Sequence, residues 1–363
     1  MKFSKRVANI DTSGIRKMFE GAGQNSINLG LGQPDFDTPQ NVKAAAISAI
    51  NEGFTGYTQG TGIFELREAI SNATSFVSNP NEVIVTAGAS EALHIALEAL
   101  VEGGDDVLIP DPGFVSYKAL ANMAGARAVG VSLNDNLVLD ADAVSEAITA
   151  NTKVLIVNSP SNPTGGVNTK SEIKGLCEVA EDHNITIISD EVYDKFIYEG
   201  EHISPASYYD NVITINAVSK TYAMTGWRLG WAVCHTDYLE QMLKVHQYVQ
   251  ACATSIAQKA AVEALTGSQD SVAMMCDEFK ARRDFVMERF YDMDIECVTP
   301  HGAFYAFPKV GDGVEASGKL LKAGVVTVPG SAFGNNADEF IRLSYATKMS
   351  DLERAMDIME ATL

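Results

Sequence analysis

The chain has 363 residues, with 46% apolar and 20% charged side chains, and its 47 acidic against 27 basic residues give a net charge of −20. That composition excludes a disordered chain, and the length suits one large plus one small domain, each with its own core. The acidic surplus disfavours binding to a nucleic-acid backbone or an anionic membrane.

In chain order, the opening MKFSKRVANID is polar and has no apolar centre of the signal-peptide kind. No apolar run approaches the ~20 residues a membrane helix needs, so a cytoplasmic protein is expected. From Glu82 onward short β-branched runs alternate with amphipathic stretches. Strands are predicted at Glu82–Thr86, Asp106–Ile109, Ala126–Val131, Lys153–Val157, Ile185–Ser189, Val212–Asn216 and Leu229–Val233. Helical patterns such as Glu91–Val101 and Glu172–Asp182 lie between them, the signature of a mostly parallel sheet covered on both faces. A helical region then runs from Asp237 to about Asp292 with a break near Gly267. After it, predicted strands at Ile295–Thr299, Ala303–Phe307, Val325–Val328 and Phe340–Tyr345 mix with helices at Ala316–Ala323 and Ser350–Leu363, as in a separate α+β unit. Residues before about 40 hold no complete unit. The expected division is a large domain over residues 41–285 and a small domain formed by 1–40 and 286–363.

The five cysteines (Cys177, Cys234, Cys252, Cys276, Cys297) are scattered without a CxxC pair, and the histidines show no HExxH spacing. Reduced core cysteines and no metal site are expected.

Five segments carry chemistry. Thr86–Glu91 follows a strand and opens a helix with Ser90 as a cap and an early Glu91; free N–H groups there suit a phosphate, and an ordinary N-cap reads the same way. Ser159–Gly165 fixes a rigid loop around Asn162 at the carboxyl end of a parallel strand, where open α/β sheets place ligands; a plain turn with a self-bonded Asn competes. Asp190 ends an apolar strand, with Tyr193 three residues on. A buried acid there implies a positive partner, unless it caps a helix. Lys220 follows the next strand, and in an apolar pocket a lysine loses its proton more readily and becomes a nucleophile toward aldehydes. Its neighbour Ser219 suggests a Ser–Lys hydrolase, but adjacent strand residues face opposite sides. Arg342 lies inside an apolar strand and needs a carboxylate or phosphate, or a structural salt bridge.

These motifs stand in a set order: LGQPDF at 31–36, NPTG at 162–165, SDEVY at 189–193, SKTYAMTGWRLG at 219–230 and RLSYA at 342–346. In this the chain resembles, over nearly its whole length, the fold-type I aminotransferases of class I/II, particularly prokaryotic aspartate and archaeal-type aromatic enzymes. The resemblance implies a pyridoxal 5′-phosphate (PLP) cofactor held as a Schiff base by Lys220, with Asp190 on the pyridine nitrogen and Tyr193 and Asn162 on the 3′ oxygen. Phe114 would stack on the ring, and Ala89, Ser90 and Arg228 would hold the phosphate. Tyr57 would reach across from the other subunit of a homodimer with shared sites. Arg342 would take the substrate α-carboxylate, in a pocket lined by Gly32, Phe114 and Asn162. An amino group would pass from an L-amino acid to 2-oxoglutarate in a ping-pong scheme.

Two positions depart from the family pattern. Ala217 stands where a phosphate-binding serine is common, so Ser219 or the Ser90 helix end must compensate. Ser90 stands where several bacterial aspartate enzymes have a lysine, which weakens an aspartate assignment; Arg16, on the N-terminal segment, is the alternative cation. A C–S β-lyase of the same fold shares these motifs. A nucleotide-binding dehydrogenase needs GxGxxG, and Gly30-Leu31-Gly32-Gln33-Pro34-Asp35 fails at the third glycine. A DNA-binding regulator needs an added domain and the opposite charge.

Overall fold

The computed structural model describes residues 3–8, 10, 23, 26–76 and 79–363. After a two-residue strand β1 (Ile27–Asn28), seven strands form one sheet: β2 (Val83–Thr86), β3 (Asp106–Asp111), β4 (Arg127–Ser132), β5 (Thr152–Asn158), β6 (Thr186–Asp190), β7 (Val212–Ala217) and β8 (Gly230–Val233). The spatial order is β2-β8-β7-β6-β5-β3-β4. Only β8 runs against its neighbours. Each of the seven predicted strands is present within two residues at either end.

Strands buried on both faces need apolar residues in both phases of the pleat. Val107, Ile109, Ile156 and Ile188 pack with Leu93 and Ala121 of the helices Ala89–Leu100 and Val115–Ala124. The alternate set, Leu108, Leu155, Val157 and Ile187, packs with Ile173 and Leu176 of the helix Lys170–Asp182. That helix starts at a capping box in which Thr169 accepts from the Glu172 N–H and Glu172 reaches back to the Thr169 N–H.

The helical region after Asp237 has two breaks rather than one, giving the helices Thr236–Val249, Ser255–Thr266 and Asp270–Asp292. No glycine or proline marks the first break; Ala251 makes it by adopting φ +64°. The third helix runs unbroken past residue 285.

Four short strands follow: β9 (Tyr305–Ala306), β10 (Val325–Val326), β11 (Val328–Pro329) and β12 (Ile341–Ser344). β12 lies between β11 and β9, antiparallel to both, while β10 pairs in parallel with β1. Three expectations are corrected here. Residues 295–299 form no strand. Ala303 at φ +58° interrupts the extended chain, so the strand predicted there begins at Tyr305. The run Val325–Val328 serves two sheets and is split at Thr327. Beyond β1, Leu29 donates to Val326 O at 2.9 Å and accepts from the Ser344 N–H at 2.7 Å, which carries Gly30 and Gly32 toward the sheet.

Cys177 and Cys234 are buried, whereas Cys252, Cys276 and Cys297 are only partly so, and the expectation of core cysteines holds for those two. Among the described residues no helix is long and apolar enough to cross a membrane.

Candidate active site

The carboxyl ends of β5, β6 and β7 and the start of the helix Ala89–Leu100 converge on a cleft of about 260 Å³, whose other wall is Gly32, Tyr305 and Arg342. Ligands of open α/β sheets sit at such an edge.

Lys220 lies in a one-turn helix, Val218–Thr221, that follows β7 directly. Ser219 and Lys220 are therefore helical neighbours, not the alternating strand residues expected, and both line the cleft. Lys220 Nζ donates to Gly32 O at 2.5 Å and faces the rings of Phe304 and Tyr193 at 5.9 and 6.0 Å. Burial of the amine and the positive charges of Arg342 and Arg228 bring its pKa down to about 8, against the opposing pull of Asp190.

Asp190, the last residue of β6, is 4% exposed. It caps no helix. One carboxylate oxygen accepts from Tyr117 Oη at 2.8 Å and the other from the Val192 N–H at 3.4 Å. Burial nonetheless raises its pKa to about 6, since these two bonds replace only part of the lost hydration. Among the described residues no cation forms an ion pair with it.

Arg342, on β12, is 2% exposed. Nη1 donates to Asn162 Oδ1 at 3.0 Å and Nη2 to Gly30 O, and the guanidinium sits between the rings of Tyr305 (4.7 Å) and Phe333 (4.8 Å). Nε has no partner, and among the described residues no carboxylate pairs with the group. The structural salt bridge considered for this arginine is thus absent among them.

The helix expected to be capped by Ser90 begins two residues earlier. Gly88 is its N-cap at φ +83°, and Ala89 and Ser90 are its first two residues. Among the described residues nothing accepts their N–H groups. Arg228, itself at φ +53°, leans over this turn and donates to Thr225 O at 2.9 Å and Ala87 O at 3.4 Å. A Cβ at position 88 would come within 2.6 Å of Arg228 Nη2, so the approach requires glycine.

Phe114 lines the cleft edge-on to Tyr117, with ring centroids 5.6 Å apart. Tyr193 Oη meets Tyr305 Oη at 2.8 Å. Asn162 donates its backbone N–H to Asn158 Oδ1 at 2.9 Å, and Asn158 Nδ2 holds the Asp190 carbonyl at 2.9 Å. A Cβ on Gly32 would lie 2.0 Å from Tyr305 Oη. Tyr57 stands outside the cleft, 91% exposed. Arg16, with the rest of residues 11–22, falls outside the described residues.

Three supporting residues escaped the sequence reading: Tyr117, Tyr305 and Asn158. Tyr117 lies one helical turn beyond Phe114, a spacing that places both on one face and was available as a signal. Tyr305 reaches Tyr193 across 112 positions of sequence, which no local pattern encodes.

The chain belongs to the aminotransferases of class I and II, whose family model matches residues 24–359. It is thus an α/β fold-type I aminotransferase, as the sheet, the helices and the cleft are arranged. Among proteins of known description it is 48% identical to a probable aspartate aminotransferase of Methanocaldococcus jannaschii over 98% of both chains. It is 38% identical to aromatic-amino-acid aminotransferase 2 of Thermococcus litoralis, over 100% of this chain and 98% of that one. Among solved structures, the aspartate aminotransferase of Thermus thermophilus with maleate superposes with a TM-score of 0.96 at 36% identity, covering 100% of each chain.

Proposed function

We propose that this aminotransferase uses PLP and moves the α-amino group of an aromatic or aspartate-like L-amino acid to 2-oxoglutarate in two half-reactions of a ping-pong scheme. The observation that carries this reading is a pair of buried ionisable groups, Asp190 and Arg342, with no counter-ion among the described residues, in one cleft with a lysine whose pKa is brought down to about 8. Buried charges are costly until paired. A ring cation at Asp190, a carboxylate at Arg342 and a phosphate at the Ala89–Ser90 turn beside Arg228 would satisfy all three places at once. PLP, when bound, supplies the electron sink that stabilises negative charge at the substrate Cα.

The chain's own residues do the rest. Lys220 holds the cofactor and, when released, takes the proton from Cα and returns it on the cofactor side. Asp190 would keep the ring nitrogen protonated, Phe114 would pack against the ring, and Tyr193 and Asn162 would hydrogen-bond its oxygen. Arg342 fixes the α-carboxylate, with Gly32 leaving room beside Tyr305. The relatives' names include both aspartate and aromatic enzymes, and the side-chain pocket here lacks a lysine at position 90. A charge-assisted contact missing from a desolvated site costs ~2–4 kcal/mol, or about 30- to 1000-fold in kcat/KM. Arg16 is the cation we assign to that charge.

Initial rates for phenylalanine, tyrosine, aspartate and glutamate as donors, with the matching oxo acids as acceptors, test the assignment. Aspartate should not exceed the aromatic donors by more than about 100-fold (~2.7 kcal/mol), and Arg16→Ala should lower kcat/KM for the two acidic donors more than for the aromatic pair. Equal losses for all four would remove Arg16 from the site. If 2-oxoglutarate accepts no amino group from any donor, the acceptor assignment is wrong.

The proposed homodimer rests on Tyr57. Its 91% exposed ring is unusual for an aromatic residue, and Phe64, Tyr248 and Val249 are exposed apolar residues as well. With Tyr57 bonded to the phosphate in the neighbouring subunit, Tyr57→Phe should weaken PLP affinity by roughly 1–3 kcal/mol in equilibrium titration. A fully active monomer at nanomolar concentration in sedimentation would contradict the shared site.

A further inference from the structure

Glu91 poses a question that the proposed chemistry leaves unanswered. It is a 9% exposed carboxylate in the first turn of the helix whose free N–H groups face the cleft, a place where a second negative charge competes with a phosphate. Its contacts show what it does there. A glutamate at this position ordinarily reaches back to the N–H of the N-cap residue. Here the Gly88 N–H donates to Thr86 O at 2.8 Å, and Glu91 Oε2 takes the N–H of Ala87, one residue earlier. The other oxygen, Oε1, is bound by His246 Nδ1 at 2.8 Å, from the helix Thr236–Val249. His246 is fully buried, and its Nε2 has no partner. Ala87 is therefore held on both sides of its Cα, its N–H by Glu91 and its carbonyl by Arg228. Gly230 closes the third side, since a Cβ there would come within 2.6 Å of the Ala89 nitrogen.

We infer that Glu91, anchored by His246, is a positioning residue for the phosphate-binding turn: it fixes the Ala87–Gly88 peptides so that the Ala89 and Ser90 N–H groups and the Arg228 guanidinium converge on one anion. The inference rests on the PLP reading above. Glu91 points away from the anion and acts only through the turn, which is why a carboxylate is tolerated so close to it. Without Glu91 the part-buried Ala87 N–H loses its acceptor, and the turn relaxes to find another.

Inorganic phosphate, as a probe of the turn alone, tests this on the apoenzyme by its effect on the melting temperature, alongside PLP titration of the same preparations. Wild type should be stabilised by phosphate, and Arg228→Ala should lose that stabilisation. Glu91→Ala should bind PLP at least about tenfold more weakly and lose most of the phosphate-induced shift, with a larger change in PLP affinity than in kcat at saturating PLP. Glu91→Gln, which keeps an acceptor for the Ala87 N–H, should recover most of the affinity. His246→Gln, which leaves Glu91 in place without its anchor, should fall between and serves where Glu91→Ala does not fold. A merely structural role would lower the apoenzyme melting temperature and leave the phosphate-induced increment as in wild type; that result, for Glu91→Ala or for His246→Gln, overturns the inference alone. No phosphate response in wild type, with Arg228→Ala binding PLP normally, overturns the phosphate site and the inference with it.

Discussion

Replacing Lys220 by alanine is expected to reduce kcat by at least about a thousandfold (~4 kcal/mol) while leaving PLP bound weakly and without a covalent link. The Ala89–Ser90 turn and Asp190 are untouched by the change, so binding should survive in part, whereas the amine proposed to hold the cofactor and move the proton is gone. Two readings follow from one preparation. The visible absorbance of wild-type enzyme should be bleached by borohydride with a mass increment on the peptide containing Lys220, and the variant should show neither. The amine's pKa near 8 adds a direction: the neutral, nucleophilic form grows as pH rises through that value, so covalent capture of PLP by apoenzyme should quicken from pH 7 to pH 9. Turnover by Lys220→Ala within tenfold of wild type would remove the lysine from its assigned role.

Asp190→Asn tests the other end of the cofactor with almost no change of shape. The amide oxygen can still accept from the Val192 N–H while its NH2 group donates to Tyr117 Oη, so the fold around it should hold. What is lost is the negative charge opposite the ring nitrogen. Breaking a buried ion pair by removing one partner costs about 3–5 kcal/mol, and the ring nitrogen then gives up the proton on which the electron sink depends. We expect kcat to fall by roughly 100- to 1000-fold, with PLP affinity reduced less than turnover, as measured by single-turnover absorbance changes with a good donor. Retention of more than about a tenth of kcat would show that Asp190 does not govern the ring.

The strands of the large sheet were legible because each carries an apolar set in both phases of the pleat, and the helices between them carry a 3.6-residue one. Within the site, Lys220, Asp190 and Arg342 could be singled out because each is a charged residue at the end of, or inside, an apolar run, where burial is costly without a partner, and Asn162 because prolines and a glycine fix a rigid loop around it beyond a parallel strand. The residues that support them were not legible. Tyr305 and Tyr117 are ordinary aromatic residues until the fold brings their hydroxyls to Tyr193 and Asp190. The start of the phosphate turn was misread because serine is the better cap by composition, and the close approach of Arg228 that demands glycine at position 88 exists only in three dimensions. The strand predicted over 295–299 has the right residue types, but its Glu296 carbonyl accepts the Lys309 N–H at 2.8 Å without a ladder forming, and a strand is defined by its ladder.

The reversed strand β8 has a consequence for how the protein can vary. Because β7 and β8 are antiparallel, the chain leaves the sheet and re-enters it at the same end. In a wholly parallel sheet it would have returned at the far edge. Lys220 and Arg228 thus sit on one short tether, anchored by β7 at one end and β8 at the other. On the proposed reading, the covalent hold on the cofactor and the ionic hold on its phosphate would be set apart by the length of that tether, a ruler matched to the molecule it would grip. Insertions and deletions that the loops at the opposite end of the sheet can absorb have no room here, since one residue more or less would move one hold relative to the other.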